Sequence, residues 1–197
     1  DELLKQRSPD LGPPIQMCDA LSRNVLKESE TLEGSCLAHG RRGFVDIIDN
    51  FPKECRHVIE SIGKIYHHDH ITKEEGMSPD ARLQYHQLHS GPVMDELKDW
   101  CTNQMGQKKV EPNSGLGKAI QYLLNHWEKL TLFLRVAGAP LDNNLCEQCL
   151  KRIILHRKNA LFFKTEHGAY IGDLFMSLIH TCSLNGVNPF EYLNALQ

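Results

Sequence analysis

Ile15-Gln16-Met17-Cys18-Asp19-Ala20-Leu21 is an apolar run with a single charge, and it opens directly after Gly12-Pro13-Pro14. The two prolines block helix continuation and favour extended backbone, so the run reads as a short buried strand. A carboxylate at the carboxyl end of such a strand faces the crevice where open α/β sheets bind ligands. The plainer reading of Asp19 is a turn residue or a helix N-cap, and the run by itself does not choose between them. Outward from it, residues 1–12 read as a short helix and residues 22–34 as polar and irregular.

Beyond residue 35 the apolar positions follow helical spacing almost throughout. A helix is expected from about residue 35, with Leu37, Phe44, Val45, Ile47 and Ile48 on its apolar face. Gly40 and Gly43 lie inside it and each costs about 1 kcal/mol relative to Ala, so this helix needs tertiary support. Pro52 suits the first turn of a second helix, on which Cys55, Val58, Ile59, Ile62, Ile65 and Tyr66 recur. Ser78-Pro79-Asp80 marks a third start, with Ser as cap and Pro as first helical residue, and Gly91-Pro92 is expected to kink or break that third helix. Residues 116–136 read as one long helix with Ile120, Leu123, Leu124, Trp127, Leu130 and Leu134 on a broad face. After Gly138-Ala139-Pro140 further helices are expected over 145–156, 171–184 and from Asn188-Pro189 onward, with a short strand at 160–163. The fold class expected is mostly α with one or two short strands.

The composition is that of an ordinary globular chain: 197 residues, 41% hydrophobic, 24% charged, net charge −3. That excludes disordered and collagen-like chains. The apolar runs are too short for a bilayer, and the first residues lack the basic-then-apolar order of a secretory signal. Cytoplasmic placement is the expectation. Seven cysteines without repeating spacing read as reduced thiols rather than a disulfide framework. Charge is uneven along the chain: residues 148–165 carry Lys151, Arg152, Arg157, Lys158 and Lys164 and no acidic residue. A local patch of this kind can hold phosphates.

Leu141-Asp142-Asn143-Asn144-Leu145-Cys146-Glu147 places several capping side chains before a helix and an acid in its first turn, where the helix dipole favours the ionised form. A carboxylate close to phosphate-binding cations is what metal-assisted phosphoryl chemistry requires. A helix cap followed by a solvated basic face is the plainer alternative. His67-His68-Asp69-His70 and the pair His86/His89 have spacing that zinc ligands use, but surface histidines on polar faces explain them more simply. Cys146-x-x-Cys149 lacks a second pair, so core packing is the simpler role there. Trp127 and Trp100 read as core residues rather than base-stacking platforms.

Four segments together carry a family resemblance. They are Cys36-Leu37-Ala38-His39-Gly40-Arg41-Arg42-Gly43-Phe44, the 141–147 string, His156-Arg157-Lys158-Asn159-Ala160-Leu161-Phe162, and Leu184-Asn185-Gly186-Val187-Asn188-Pro189-Phe190-Glu191-Tyr192-Leu193. In this order they resemble the carboxyl-terminal part of an insertion-sequence-sixty-six family transposase, from about Pro13 to the end.

The resemblance implies a DDE-type enzyme, with a ribonuclease-H-like core whose Asp, Asp and Glu hold two Mg²⁺ or Mn²⁺ ions. Water attacks a phosphodiester at the transposon end, and the freed 3′-hydroxyl then attacks target DNA. Carried over to this chain, Asp19 matches the second catalytic Asp and Glu147 the catalytic Glu, both as metal ligands. Residues 1–34 would be part of the core, 35–138 a helical insertion, and 139–197 the closing part of the core. His39, Arg41, Arg42, Lys151, Arg152, Arg157 and Lys158 are the candidate DNA contacts. Self-association in a transpososome is expected, and no membrane partner. No Asp before Asp19 lies on a strand of its own. Gln148 stands where the family usually has Arg, and Gly40 and Gly43 where it usually has Ala and Lys. The expectation is therefore a truncated copy, inactive alone. Two other classes stay open: a non-catalytic helical DNA-binding remnant using the basic patches, and a metal-binding helical protein using the histidine pairs.

Overall fold

The computed structural model describes residues 7, 8, 10–19, 30–159 and 163–196; the side chains at 152, 153, 156 and 157 also fall outside the description. Among the described residues the chain is mostly helical, with one small parallel sheet. It divides into two units, residues 1–143 and 144–197.

In the first unit, β1 (Ile15–Cys18) pairs in parallel with β2 (Leu32–Ser35), in the register Ile15↔Leu32 to Cys18↔Ser35. The expected strand over 15–21 is found at Ile15–Cys18, with Asp19 just beyond it and positions 20 and 21 outside the described residues. The reading of 22–34 as irregular missed the start of β2, because Leu-Glu-Gly-Ser has neither alternation nor a β-branched residue. Its Gly34 is a packing feature: a Cβ there would come within 2.7 Å of the Met17 methyl and 3.3 Å of Leu132. Residues 7, 8 and 10–12 form a turn rather than a helix, held by Leu11 N–H to the Ser8 carbonyl. The rest of the expected 1–12 helix lies outside the described residues, as do positions 160–162 of the expected late strand.

Helix α1 (Leu37–Val45) follows β2 after one residue, Cys36. Next come α2 (Pro52–Glu74) and α3 (Pro79–Gly106), antiparallel partners joined by a tight turn in which Gly76 takes φ +59°. The Ser78 hydroxyl caps α3 by accepting from Ala81 N–H. Buried positions on α2 run Cys55, Val58, Ile62, Ile65, Asp69, Thr72, alternating steps of three and four. On α3 they run His86, Ser90, Met94, Leu97, Cys101. One end of this hairpin is hydrocarbon and the other is polar.

Pro92 does not break α3. It and Leu88, whose carbonyl it leaves without an intrahelical donor, are both exposed, so water can take the donor's place. The buried stripe runs through both halves and holds them in line.

Residues 116–136 are not one helix. They fold as α4 (Gly115–Asn125), a single turn α5 (Trp127–Leu130) and a 3₁₀ turn (Leu132–Leu134). Thr131 interrupts the run, its hydroxyl donating to the Trp127 carbonyl at 2.8 Å. The Arg135 guanidinium donates to the Thr131 hydroxyl and the Glu128 carbonyl. The breaks turn Leu130, Leu132 and Phe133 inward together, which a straight helix with its 100° step could not do. Trp127 is buried in the same core.

In the second unit, α6 (Asn144–Asn159), α7 (Glu166–Leu184) and α8 (Pro189–Ala195) follow. Thr165 and Asn188 cap the last two with side-chain oxygens, and Gly186 at φ +66° ends α7. No helix among the described residues is long and apolar enough to cross a membrane.

Candidate functional site

Asp19 is the first residue beyond β1. The Cys18–Ser35 pairing and the bond from Cys36 N–H to the Cys18 carbonyl (2.8 Å) bring the start of α1 beside it. The first turns of α1 and the first two turns of α4 complete an open groove of about 470 Å³, lined by Asp19, His39, Gly40, Gly43, Gly115, Lys118, Ala119 and Tyr122. Two expected site residues from different motifs, Asp19 and His39, thus share one wall. The glycines that depart from the family pattern line it too. A Cβ at Gly40 would meet Leu123 at 2.9 Å, whereas one at Gly43 would find Ala119 at a comfortable 3.8 Å.

Arg41 and Arg42 lie on the same helix, half-buried and exposed respectively. Burial pushes the Tyr122 phenol up, and the Asp19 carboxylate adds to it. Burial likewise pushes up the Cys36 thiol, against the opposing effect of backbone N–H groups of Asn143, His39 and Ala38. Cys36 is therefore a neutral packing residue rather than a nucleophile.

Residues 141–143 are held within the first unit. Leu37 N–H donates to the Leu141 carbonyl at 2.9 Å, and Leu141 is buried. The Tyr66 hydroxyl donates to Asp142 Oδ2 at 2.8 Å. Burial raises the Tyr66 pKa, and the Asp142 carboxylate raises it further, so Tyr66 is a permanent donor. Tyr66→Phe is expected to lower stability by about 1.5–3 kcal/mol, the range for a hydrogen bond to a charged group. Urea unfolding checks it, and an unchanged midpoint would show that residues 141–143 are held without this bond.

Glu147 sits half-buried in the first turn of α6, in the second unit. Lys151 and Lys158 are exposed on that helix. Seven residues apart, they share a face about 10 Å long. The side chains of Arg152 and Arg157 lie outside the described residues. Cys146 is exposed and Cys149 half-buried, so core packing does not describe them. Cys149 Sγ instead contacts His180 Nε2 of α7 at 2.5 Å.

Among the described residues no group of three or more His, Cys, Asp or Glu side chains gathers so as to hold a metal ion. These residues alone do not compose a full divalent-cation site. The histidine pairs do not make one either. His86 is buried, with Nε2 3.4 Å from Asp69 and Nδ1 2.9 Å from Ser90 Oγ, while His89 is exposed. His67 and His70 are exposed on α2, and His70 faces Glu74 at 3.2 Å. Reading His86 as a surface residue was wrong: it falls on the inner stripe of α3.

Lys118 and Tyr122 were not singled out from the sequence. They share the groove with Asp19 through the packing of α4 on α1, and no local pattern announces that.

A strand-end carboxylate beside a basic-motif helix, within a mostly helical chain, defines an α-rich domain with a carboxylate-bearing groove. The transposase IS66 family matches over residues 13–171, and the chain belongs to that family. Three Sinorhizobium fredii proteins, each named only as uncharacterized, are similar to it. They are y4jD (33% identical, 80% of this chain and 30% of that protein), y4hP (28%, 80% and 30%) and y4qI (27%, 89% and 32%). The chain thus spans about 30% of the length of the curated relatives it matches. No solved structure matches it.

Proposed function

We propose that this chain is a portion of a DNA transposase catalytic domain, in which Asp19 and Glu147 are two of the carboxylates that hold the catalytic divalent ions. Residues 1–34 and 139–197 would belong to a ribonuclease-H-like core and 35–138 to a helical insertion. The observation that carries the reading is the groove itself: Asp19 leaves the end of a parallel strand and lines a cavity with His39 of the His-x-Arg-Arg motif, in a chain of this family.

Mg²⁺ or Mn²⁺, when bound, would stabilise the attacking and leaving oxygens of a phosphodiester displacement. The chain's own part is to bind and orient DNA. Asp19 and Glu147 supply hard oxygen donors of the kind Mg²⁺ prefers. His39, Arg41 and Arg42 on α1, with Lys151, Arg152, Arg157 and Lys158 on α6, supply donors and positive charge for the DNA backbone. The first catalytic Asp and any remaining ligand would come from the rest of a longer family chain.

The test uses a full-length chimaera in which this chain replaces the matching segment of y4jD. With Mg²⁺ or Mn²⁺ it is expected to nick DNA carrying the cognate ends. Asp19→Asn and Glu147→Gln are each expected to lower the rate about a thousandfold, equivalent to several kcal/mol of transition-state stabilisation. Undiminished nicking in either variant would overturn the assignment. Salt-sensitive DNA binding with no nicking in any form would return the chain to a non-catalytic DNA-binding role.

A further inference from the structure

We propose that Lys118, on α4, is a DNA-phosphate contact in the groove that Asp19 lines, so that the helical segment between the two carboxylates takes part in holding the substrate. The proposal rests on the reading of this chain as part of a DNA-cutting enzyme, and it adds a residue outside the four sequence segments that point there.

Three observations carry it. Lys118 is exposed, lines the groove with Asp19 and His39, and enters no ion pair among the described residues. Its ammonium is therefore available to an anionic ligand and offsets the carboxylate that would otherwise repel one. Gly43 of α1 lines the same groove beside Ala119 and adds no side chain to it. Tyr122 Oη is buried and makes no hydrogen bond among the described residues, which leaves a neutral O–H donor in a residue that lines the same groove. At about 470 Å³ the groove has the size of a ligand site. The chemistry it favours is a phosphate oxygen accepting from an ammonium, read without regard to base sequence.

The experiment measures fluorescence anisotropy of a labelled duplex with the chain in EDTA, across a series of KCl concentrations and for two unrelated DNA sequences. Lys118→Ala is expected to weaken binding to both sequences equally. The magnitude of the slope of log affinity against log salt should fall by about one, the signature of one lost phosphate contact. Lys118→Arg should keep the slope, since the charge stays. Lys64→Ala, exposed on α2 and not lining the groove, should leave it unchanged. A Lys118→Ala slope equal to that of the parent chain, or no binding by the parent chain, overturns the proposal.

The nicking assay separates this from the catalytic reading. An unchanged slope with nicking lost in Asp19→Asn removes the phosphate contact and leaves the carboxylate assignment standing. A reduced slope with nicking undiminished in Asp19→Asn does the reverse.

Discussion

Asp69→Ala is expected to destabilise the chain by about 3–5 kcal/mol near neutral pH, the cost of removing one partner from a buried ion pair. Asp69 is 3% exposed and sits where the inner stripe of α2 meets the amino-terminal half of α3. Its carboxylate takes Arg82 at 2.5 Å and Lys73 at 2.7 Å, with His86 at 3.4 Å. His86 passes the network on to Ser90, which also meets His68 Nδ1 at 3.0 Å. Removing the carboxylate strands Arg82, whose side chain is 19% exposed, against a wall with no acceptor in its place. Lys73 loses little, because it is mostly in water.

The effect depends on pH with a defined sign. Burial alone would raise the Asp69 pKa, but the His86 and Lys73 hydrogen bonds and the Arg82 charge hold it well below the usual carboxylate range. A depressed folded pKa gives stability that is fully present above the unfolded value, about pH 4, and lost as pH falls from there through the folded value. Urea unfolding of parent and Asp69→Ala should therefore differ most near neutrality, and the gap should close on acidification. A gap below about 1 kcal/mol, far under the cost of a broken buried pair, or one that widens in acid, would contradict this account.

Gly117→Ala is the second large effect. Gly117 is the third residue of α4, and its N–H donates to the capping hydroxyl of Ser114 at 3.0 Å. In an ordinary helix interior Ala would be favoured by about 1 kcal/mol. Here a Cβ would stand 2.3 Å from the Glu111 carbonyl oxygen and 2.7 Å from that of Pro112. Both are backbone atoms, so no rotamer change relieves the clash and the loop must move. The expected net loss is about 1–3 kcal/mol, or roughly 2–4 °C of Tm for each kcal/mol in a chain of this size. On the proposed reading of the groove DNA binding should weaken as well, because Gly115 and Lys118 of the same turns line it. A melting temperature equal to or above that of the parent would show that the loop yields freely.

Helix starts were legible because their signals are local. Pro52, Ser78-Pro79 and Asn188-Pro189 each fix φ or supply a cap within one turn, and the helices begin there. The interior of 116–136 was not legible, since Lys118, Gln121, Asn125 and Glu128 keep helical spacing straight through it, and the break depends on Thr131 and Arg135 finding carbonyls in three dimensions. Asp69 was readable in principle. It falls four residues after Ile65 on a stripe of alternating threes and fours, but it is flanked by His67, His68 and His70, of which His67 and His70 lie on the outer face. Asp19 was placed at a strand end from the Pro13-Pro14 signal and the apolar run. That Lys118 and Tyr122 meet it there is a matter of α1–α4 packing, to which the small residues Gly40 and Gly43 contribute without any motif of their own.

On the proposed reading Asp19 and Glu147 together hold a divalent ion in the complete enzyme. Anomalous diffraction from Mn²⁺ in crystals of the y4jD chimaera is expected to show Mn²⁺ with both carboxylates in its coordination sphere, lost in Asp19→Asn. Mn²⁺ held by other side chains, with Asp19 and Glu147 outside the sphere, would contradict it.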